Sequence, residues 1–305
     1  MKLPRKKVFV PRGKVVDGKF KFEIGFKKLL EGNCFEIDSE FQIYRNEKKF
    51  AMSEPEKHCL FNRFDSKIKF IVIDEIIDRL VDEHPEYFSY EDNVLDCKLT
   101  NEKLVFDNDL NLGSGKYMNS LDAIASQIQE DIAVLSYSGK NWVSALHICL
   151  PSYFDPRNVI GKDFTALHKP VPDFNDIGDH NKIVQAMINY GPFVRYNSSF
   201  VSDNRLNHHP IPPAWLNKPD KLKWKGKDFR SENELYLRVE RQITIPLSEI
   251  ESSIFLIRPY IYPLSILNKE DKIRLARELN SISELVLEYK GFREGKDFIL
   301  KSLLQ

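Results

Sequence analysis

A chain of 305 residues with a 42% hydrophobic fraction can bury one large core or two smaller ones. Lys+Arg and Asp+Glu both total 45, so charge steers the chain toward neither nucleic acid nor an acidic membrane surface. No apolar run reaches the roughly 18 residues that a membrane span needs, and the N-terminus lacks an apolar segment that could serve as a secretory signal; a cytoplasmic protein is the expectation.

Cys34, Cys59, Cys97 and Cys149 are scattered with no CxxC, which argues against a disulfide framework, a zinc site or an iron–sulfur cluster held by this chain. Phe20 to Gly32 opens with alternation and then changes period, predicting a strand or extended arm followed by a turn of helix. Ile68 to His84 carries Ile73, Ile76, Ile77, Leu80 and Val81 at helical spacing, with Asp65 or Ser66 to cap it and Pro85 to stop it. Asp74, Glu75 and Asp78 fall on the solvated side of that stripe. Gly113-Ser114-Gly115-Lys116 lacks the first glycine of a phosphate-binding loop and reads as a turn. A second helix is predicted from Asn119 or Ser120, with Leu121, Ile124 and Ile128 on one face and Gln129-Glu130-Asp131 near its end.

Ile132 to Tyr137 and Trp142 to Leu150 are β-branched and aromatic, and Ser138-Gly139-Lys140-Asn141 joins them as a hairpin. His168 follows, ahead of Pro170 and Pro172, whose fixed φ predicts a stiff, extended segment that could hold a side chain still. A helix is predicted over Asp179 to Tyr190, then strands over Phe193 to Phe200, Glu234 to Ile245 and Ile254 to Tyr262, and a closing helix over Glu270 to Tyr289. The loop between the first two of these strands holds His208-His209, which point to opposite sides of an extended chain and make a poor metal pair.

Two plus three antiparallel strands with helices between them define an α+β class: a PAS-like sheet with inserted helices, an N-terminal helical extension and a C-terminal helix. The expected division is an extension over residues 1–130 packed on the core, a PAS-like core over 131–265, and a C-terminal helix over 266–305. Strand residues two apart share a face, so Arg195 and Asn197 lie together, as do Arg238, Glu240 and Gln242 on the neighbouring strand. Such charges either pair in a network on the outer surface or line a functional cavity.

Leu237-Arg238-Val239-Glu240-Arg241-Gln242 and Phe255-Leu256-Ile257-Arg258-Pro259-Tyr260 resemble the signature of the haem-dependent oxidative N-demethylase alpha-subunit family. Phe22 to Phe26 with Glu36-Ile37-Asp38, then Gln129-Glu130-Asp131, Pro151-Ser152 through Gly161 to His168-Lys169-Pro170-Val171-Pro172, and Arg195-Tyr196-Asn197 extend the resemblance over much of the chain. The family usually has tryptophan after the R-x-N element, where Ser198 stands here, so the substrate could differ.

The resemblance implies a haem-binding core with His168 as the axial iron ligand, against the plainer possibility that His168 only packs or bonds the backbone; His147 is the reserve ligand. Pro170, Asn197 and Gln242 are the further cofactor-side candidates, and Glu240, Arg238 and Arg195 the catalytic ones. The implied activity is oxidative N-demethylation of a small secondary or tertiary amine such as dimethylamine, with O₂, to a lower amine and formaldehyde. No flavin or iron–sulfur motif is present, so electrons are expected from a partner reductase carrying those groups. The alternatives are a haem sensor or binding module of the same fold without turnover, and a haem-free interaction protein on the same scaffold.

Overall fold

The computed structural model describes residues 3–172, 174, 178–216, 221–230 and 234–305. Parts of the loop expected between the strands, at 217–220 and 231–233, lie outside the described residues. The architecture is α+β, and one seven-stranded antiparallel sheet organises it. Its strands, numbered in chain order, are β1 (Lys27–Lys28), β2 (Leu60–Asn62), β3 (Asp131–Tyr137), β4 (Asn141–His147), β5 (Phe193–Val201), β6 (Tyr236–Leu247) and β7 (Ser252–Pro263). They lie side by side in the order β1-β5-β6-β7-β3-β4-β2. The predicted hairpin forms β3 and β4, turning at Gly139 with φ +72°, a backbone that glycine adopts without a Cβ penalty.

The sheet is covered by helices whose apolar stripes explain their placement. Ser66–Glu83 is capped by Asp65, whose carboxylate accepts the Ile68 N–H at 2.8 Å, and it buries Val72, Ile73, Ile76, Ile77 and Leu80. That cap contributes about 1 kcal/mol, and each buried aliphatic side chain about 1.5–3 kcal/mol. The helix packs with Ile243, Ile245, Ile254 and Leu256 of β6 and β7. Leu237 and Val239 at the other end of β6 pack with Leu275, Leu279 and Leu287 from the C-terminal helices. Among the described residues no helix is long and apolar enough to cross a membrane.

The structure corrects several local expectations. No helix follows Phe20; short strands Lys19–Lys21 and Lys27–Lys28 stand there, and the first helix is Phe41–Met52. The helix from Asn119 ends at Ala125, so Gln129-Glu130-Asp131 lies beyond it and Asp131 opens β3. The closing helix is two pieces, Lys269–Ser281 and Glu284–Lys290: Ile282 turns extended and the Ser283 side chain caps the second piece. His168 ends a short helix, Phe164–His168, and Lys169 remains right-handed helical despite Pro170. The Val171 N–H donating to the His168 carbonyl at 2.8 Å accompanies that turn.

Three stretches that carry the family resemblance converge on a buried ion cluster. Arg258 of β7 is fully buried; it pairs with Asp38 at 2.7 Å and with Glu130 at 3.8 Å. Gln129 and Asp38 exchange hydrogen bonds at 2.9 and 3.1 Å, and Tyr260 donates to Glu36. Several charges can share the interior only because each meets an opposite charge or a hydrogen bond.

Candidate active site

The sheet face opposite the Ser66–Glu83 helix forms the floor of a cavity of about 760 Å³, within the size range of cofactor pockets. β5 and β6 pair so that Arg195 faces Gln242, Asn197 faces Glu240 and Ser199 faces Arg238. All of these except Arg238 line the cavity. Only a register that keeps both polar stripes on one face does this, since a one-residue slip would turn them into the apolar core.

Arg238 sits at the end of the stripe, 1% exposed. It donates to the carbonyls of Leu206 at 2.8 Å and Leu150 at 2.9 Å, and its Nε lies 3.3 Å from Glu240 Oε1. The Gln242 amide donates to Glu240 Oε2 at 3.1 Å. The Glu240 carboxylate is therefore held from both sides. Arg195 lies over the Phe26 ring at 5.9 Å, and its buried Nε has no hydrogen-bond partner among the described residues. Burial pulls the Arg195 guanidinium below its ordinary pKa, and Glu240 opposes that.

The roof carries His168 and Pro170. His168 Nδ1 donates to the Phe164 carbonyl at 2.8 Å, and the ring stacks on Phe174 at 4.8 Å between centroids. Burial, helped by Arg195 and His180 and opposed by the bond to the Phe164 carbonyl, leaves His168 below the usual histidine pKa, which favours the neutral ring. With Nδ1 committed as donor, Nε2 keeps the lone pair that a metal needs. A helix end, a backbone hydrogen bond and an aromatic stack also restrain His168.

The rim is basic. Lys227 donates to Ser199 Oγ at 2.9 Å and to the Phe200 carbonyl at 2.7 Å, and Lys290 to the Ser198 carbonyl at 3.0 Å. Burial pushes Lys227 down to about 7, helped by Lys290 and Arg238, and pushes Lys290 down to about 8. His208 also lines the cavity and bonds Asp203 at 2.9 Å. Gly226, with φ +63°, lies so close that an added Cβ would fall 2.6 Å from His208 Nε2. The sequence marks His208 only as half of a poor metal pair and gives these rim lysines no role. The run Lys223-Trp224-Lys225-Gly226-Lys227 was the available signal, but nothing local says that it faces Lys290.

His147 lies elsewhere: it is buried, bonded to Asp122, and absent from the cavity wall. The residues present fit a haem. A neutral histidine with a free Nε2 faces a floor holding an unpartnered arginine nitrogen, and the rim lysines suit carboxylate side groups.

These features define an α+β protein with a cavity between its sheet and inserted helices, lined by His168 on one side and a polar floor on the other. The model of the family described as haem-dependent oxidative N-demethylase, alpha subunit-like, matches residues 25–300, and the chain belongs to that family. No curated protein matches the chain.

Proposed function

We propose that this chain is the haem-binding, amine-oxidising subunit of an oxidative N-demethylase, with a PAS-like core, acting on a small secondary or tertiary amine such as dimethylamine. The observation that carries the reading is the shared cavity of His168, with Nε2 free, and the Arg195-Asn197/Glu240-Gln242 floor. The strand order, in which the β3–β4 hairpin lies beside β7 rather than beside β5, supports the PAS-like description. His168 would hold the haem iron, Pro170 would line the haem, and Lys227 and Lys290 would meet its carboxylates. Haem, when bound, supplies the one-electron and O₂ chemistry.

A small alkylamine is cationic in neutral water, so the cavity must offset its lost hydration. Glu240 meets that charge, while Arg238 and Gln242 fix the orientation of its carboxylate. Arg195 Nε supplies a donor to negative charge developing on the oxygen side, and Asn197 adds an amide beside it. Phe26, Leu167, Met187 and Phe255 line the same cavity and give this polar group an apolar surround. In the overall reaction the N-methyl amine, O₂, two electrons and two protons give the lower amine, formaldehyde and water. The electrons come from a partner reductase carrying flavin and an iron–sulfur cluster, in keeping with the alpha-subunit description. Four free, buried cysteines suit a reducing, cytoplasmic setting.

The test is the purified, haem-supplemented protein given dimethylamine, O₂ and a chemical reductant. The proposal expects a haem absorption band, an amine-induced shift of that band, and formaldehyde in step with amine consumed. Haem binding without an amine shift or formaldehyde would leave the sensor reading, and a protein that takes up no haem would leave the scaffold reading.

A further inference from the structure

On the face of β4 away from the cavity, the fold assembles a second constellation. Leu146 and Ile148 flank His147 and pack in the cavity-side cluster, so strand alternation sends His147 to the other side, where it is fully buried. Its Nε2 lies 3.2 Å from Asp122 Oδ1, and the other Asp122 oxygen accepts the Met118 N–H at 2.8 Å. A carboxylate can only accept, so Nε2 carries the proton and Nδ1 keeps its lone pair. Nδ1 lies 3.8 Å from Cys149 Sγ. A histidine oriented by a carboxylate through one nitrogen and offering the other is the arrangement that metal-ligating histidines adopt.

Asp131 completes the group. One ligand atom from each of Asp131, His147 and Cys149 lies within 4.8 Å of the others. Asp131 Oδ2 accepts the Leu150 N–H at 2.7 Å, but the buried Oδ1 has no hydrogen-bond partner among the described residues, with Lys48 Nζ 3.9 Å away. A buried carboxylate oxygen left without a donor calls for an explanation. Cys59 brings a second sulfur to the edge of this group: its carbonyl accepts the Ile148 N–H at 2.8 Å, and its side chain packs in one cluster with Cys149. The spacing in the sequence hid this, because Cys59 and Cys149 meet only through the pairing of β2 with β4.

We propose that Cys59, Asp131, His147 and Cys149 hold a structural zinc ion, separate from the haem site. Two sulfurs, one imidazole nitrogen and one carboxylate oxygen form a closed tetrahedral set with no open position, the pattern of a structural rather than a catalytic zinc. Zinc bonds of about 2.0–2.3 Å imply ligand-to-ligand edges of roughly 3.3–3.8 Å. The 3.8 Å between Nδ1 and Sγ already matches, and the 4.8 Å limit leaves Asp131, His147 and Cys149 a contraction of about 1 Å, while the Cys59 thiol, outside that group, closes in on binding. On binding, each thiol releases its proton; the dication, two thiolates, the Asp131 carboxylate and the Lys48 ammonium then sum to neutrality. The ion ties the residue before β2, the start of β3 and the end of β4 to one point, beside the Phe41–Met52 helix that bears Lys48.

The experiment is elemental analysis and zinc-edge X-ray absorption of the haem-supplemented protein made in zinc-containing medium. One zinc per chain is expected, with sulfur neighbours near 2.3 Å and nitrogen or oxygen neighbours near 2.0 Å. Cys59→Ser and Cys149→Ser should each lose most of that zinc while keeping haem. Where a serine variant does not fold, the wild type is treated with a chelator in mild denaturant; the expected result is a fall in Tm of several degrees, reversed by Zn²⁺. Folded protein without zinc, zinc unchanged in both serine variants, a Tm indifferent to chelation, or a native Cys59–Cys149 disulfide in the intact mass would each overturn the proposal.

Discussion

His168 hydrogen-bonds through Nδ1 to the carbonyl of Phe164, one helical turn back, at 2.8 Å. Because that carbonyl can only accept, the bond fixes the ring's tautomer and reserves Nε2 for another partner. Replacing His168 with glycine should abolish the wild-type haem spectrum. Adding free imidazole should restore it, since the imidazole can take the vacated place against Phe174. A His168→Gly protein whose haem spectrum matches the wild type without imidazole would remove His168 from the site.

Glu240 is held by Arg238 on one side and Gln242 on the other. Glu240→Gln keeps the shape and removes the charge. Hydrogen bonds to charged groups contribute about 1.5–3 kcal/mol, so amine affinity should fall roughly ten- to a hundredfold. Haem content should stay unchanged. Titration of the haem band with dimethylamine measures this, and an unaltered affinity would assign Glu240 a purely structural pairing with Arg238.

Lys227 gives a pH signature in the haem-free protein. Its pKa falls from 10.5 to about 7 on folding, chiefly through burial. Between about pH 7 and about 10.5 the unfolded chain therefore binds more protons, and stability on this account rises with pH. Lys290, brought down to about 8, acts in the same direction. The buried thiols Cys34 and Cys97, pushed up to about 12, oppose this only as pH passes the ordinary thiol value of 9.0. Thermal melts of wild type and Lys227→Met from about pH 7 to about pH 8.5 should show the wild type gaining stability relative to the variant. Parallel curves would mean that the Lys227 amine titrates normally.

Arg258 is the centre of the ion cluster with Asp38 and Glu130. Arg258→Leu leaves both carboxylates buried without it and should cost about 3–5 kcal/mol, read as a lower denaturant midpoint. Adding Glu130→Gln, which removes one stranded charge, should recover part of the loss. Additive losses in the double variant would show that the two side chains are not coupled.

The elements most legible in the sequence are those whose cause is local. The β3–β4 hairpin announced itself through Ser138-Gly139-Lys140-Asn141, and the Ser66–Glu83 helix through its isoleucine stripe and Asp65. Helix Phe41–Met52 was missed because its buried face includes Tyr44 and Lys48, a lysine that is acceptable inside only because it reaches the carbonyls of Ala125 and Glu130. Gln129-Glu130-Asp131 read as a polar helix end because its partners, Asp38, Arg258 and Lys48, are far away in sequence. The polar stripes of β5 and β6 could be paired from alternation alone, but not the side on which they open. That depends on the helices that roof them. The pairing of β2 with β4 was invisible for the same reason, and with it the meeting of Cys59 and Cys149.

Glu288, Tyr289, Lys290 and Gly291 form part of the cavity wall, although the floor is complete by the end of β7 at Pro263. During synthesis the sheet can therefore assemble while this wall is still inside the ribosome. On the proposed haem-binding reading, cofactor capture waits for the final stretch of chain, so a nascent chain stalled after β7 would present an open trough with its arginine and glutamate exposed to water. Loading is thereby placed after translation of the sheet, and a reporter fused to stalled chains of increasing length would show haem retention only once residue 291 has emerged.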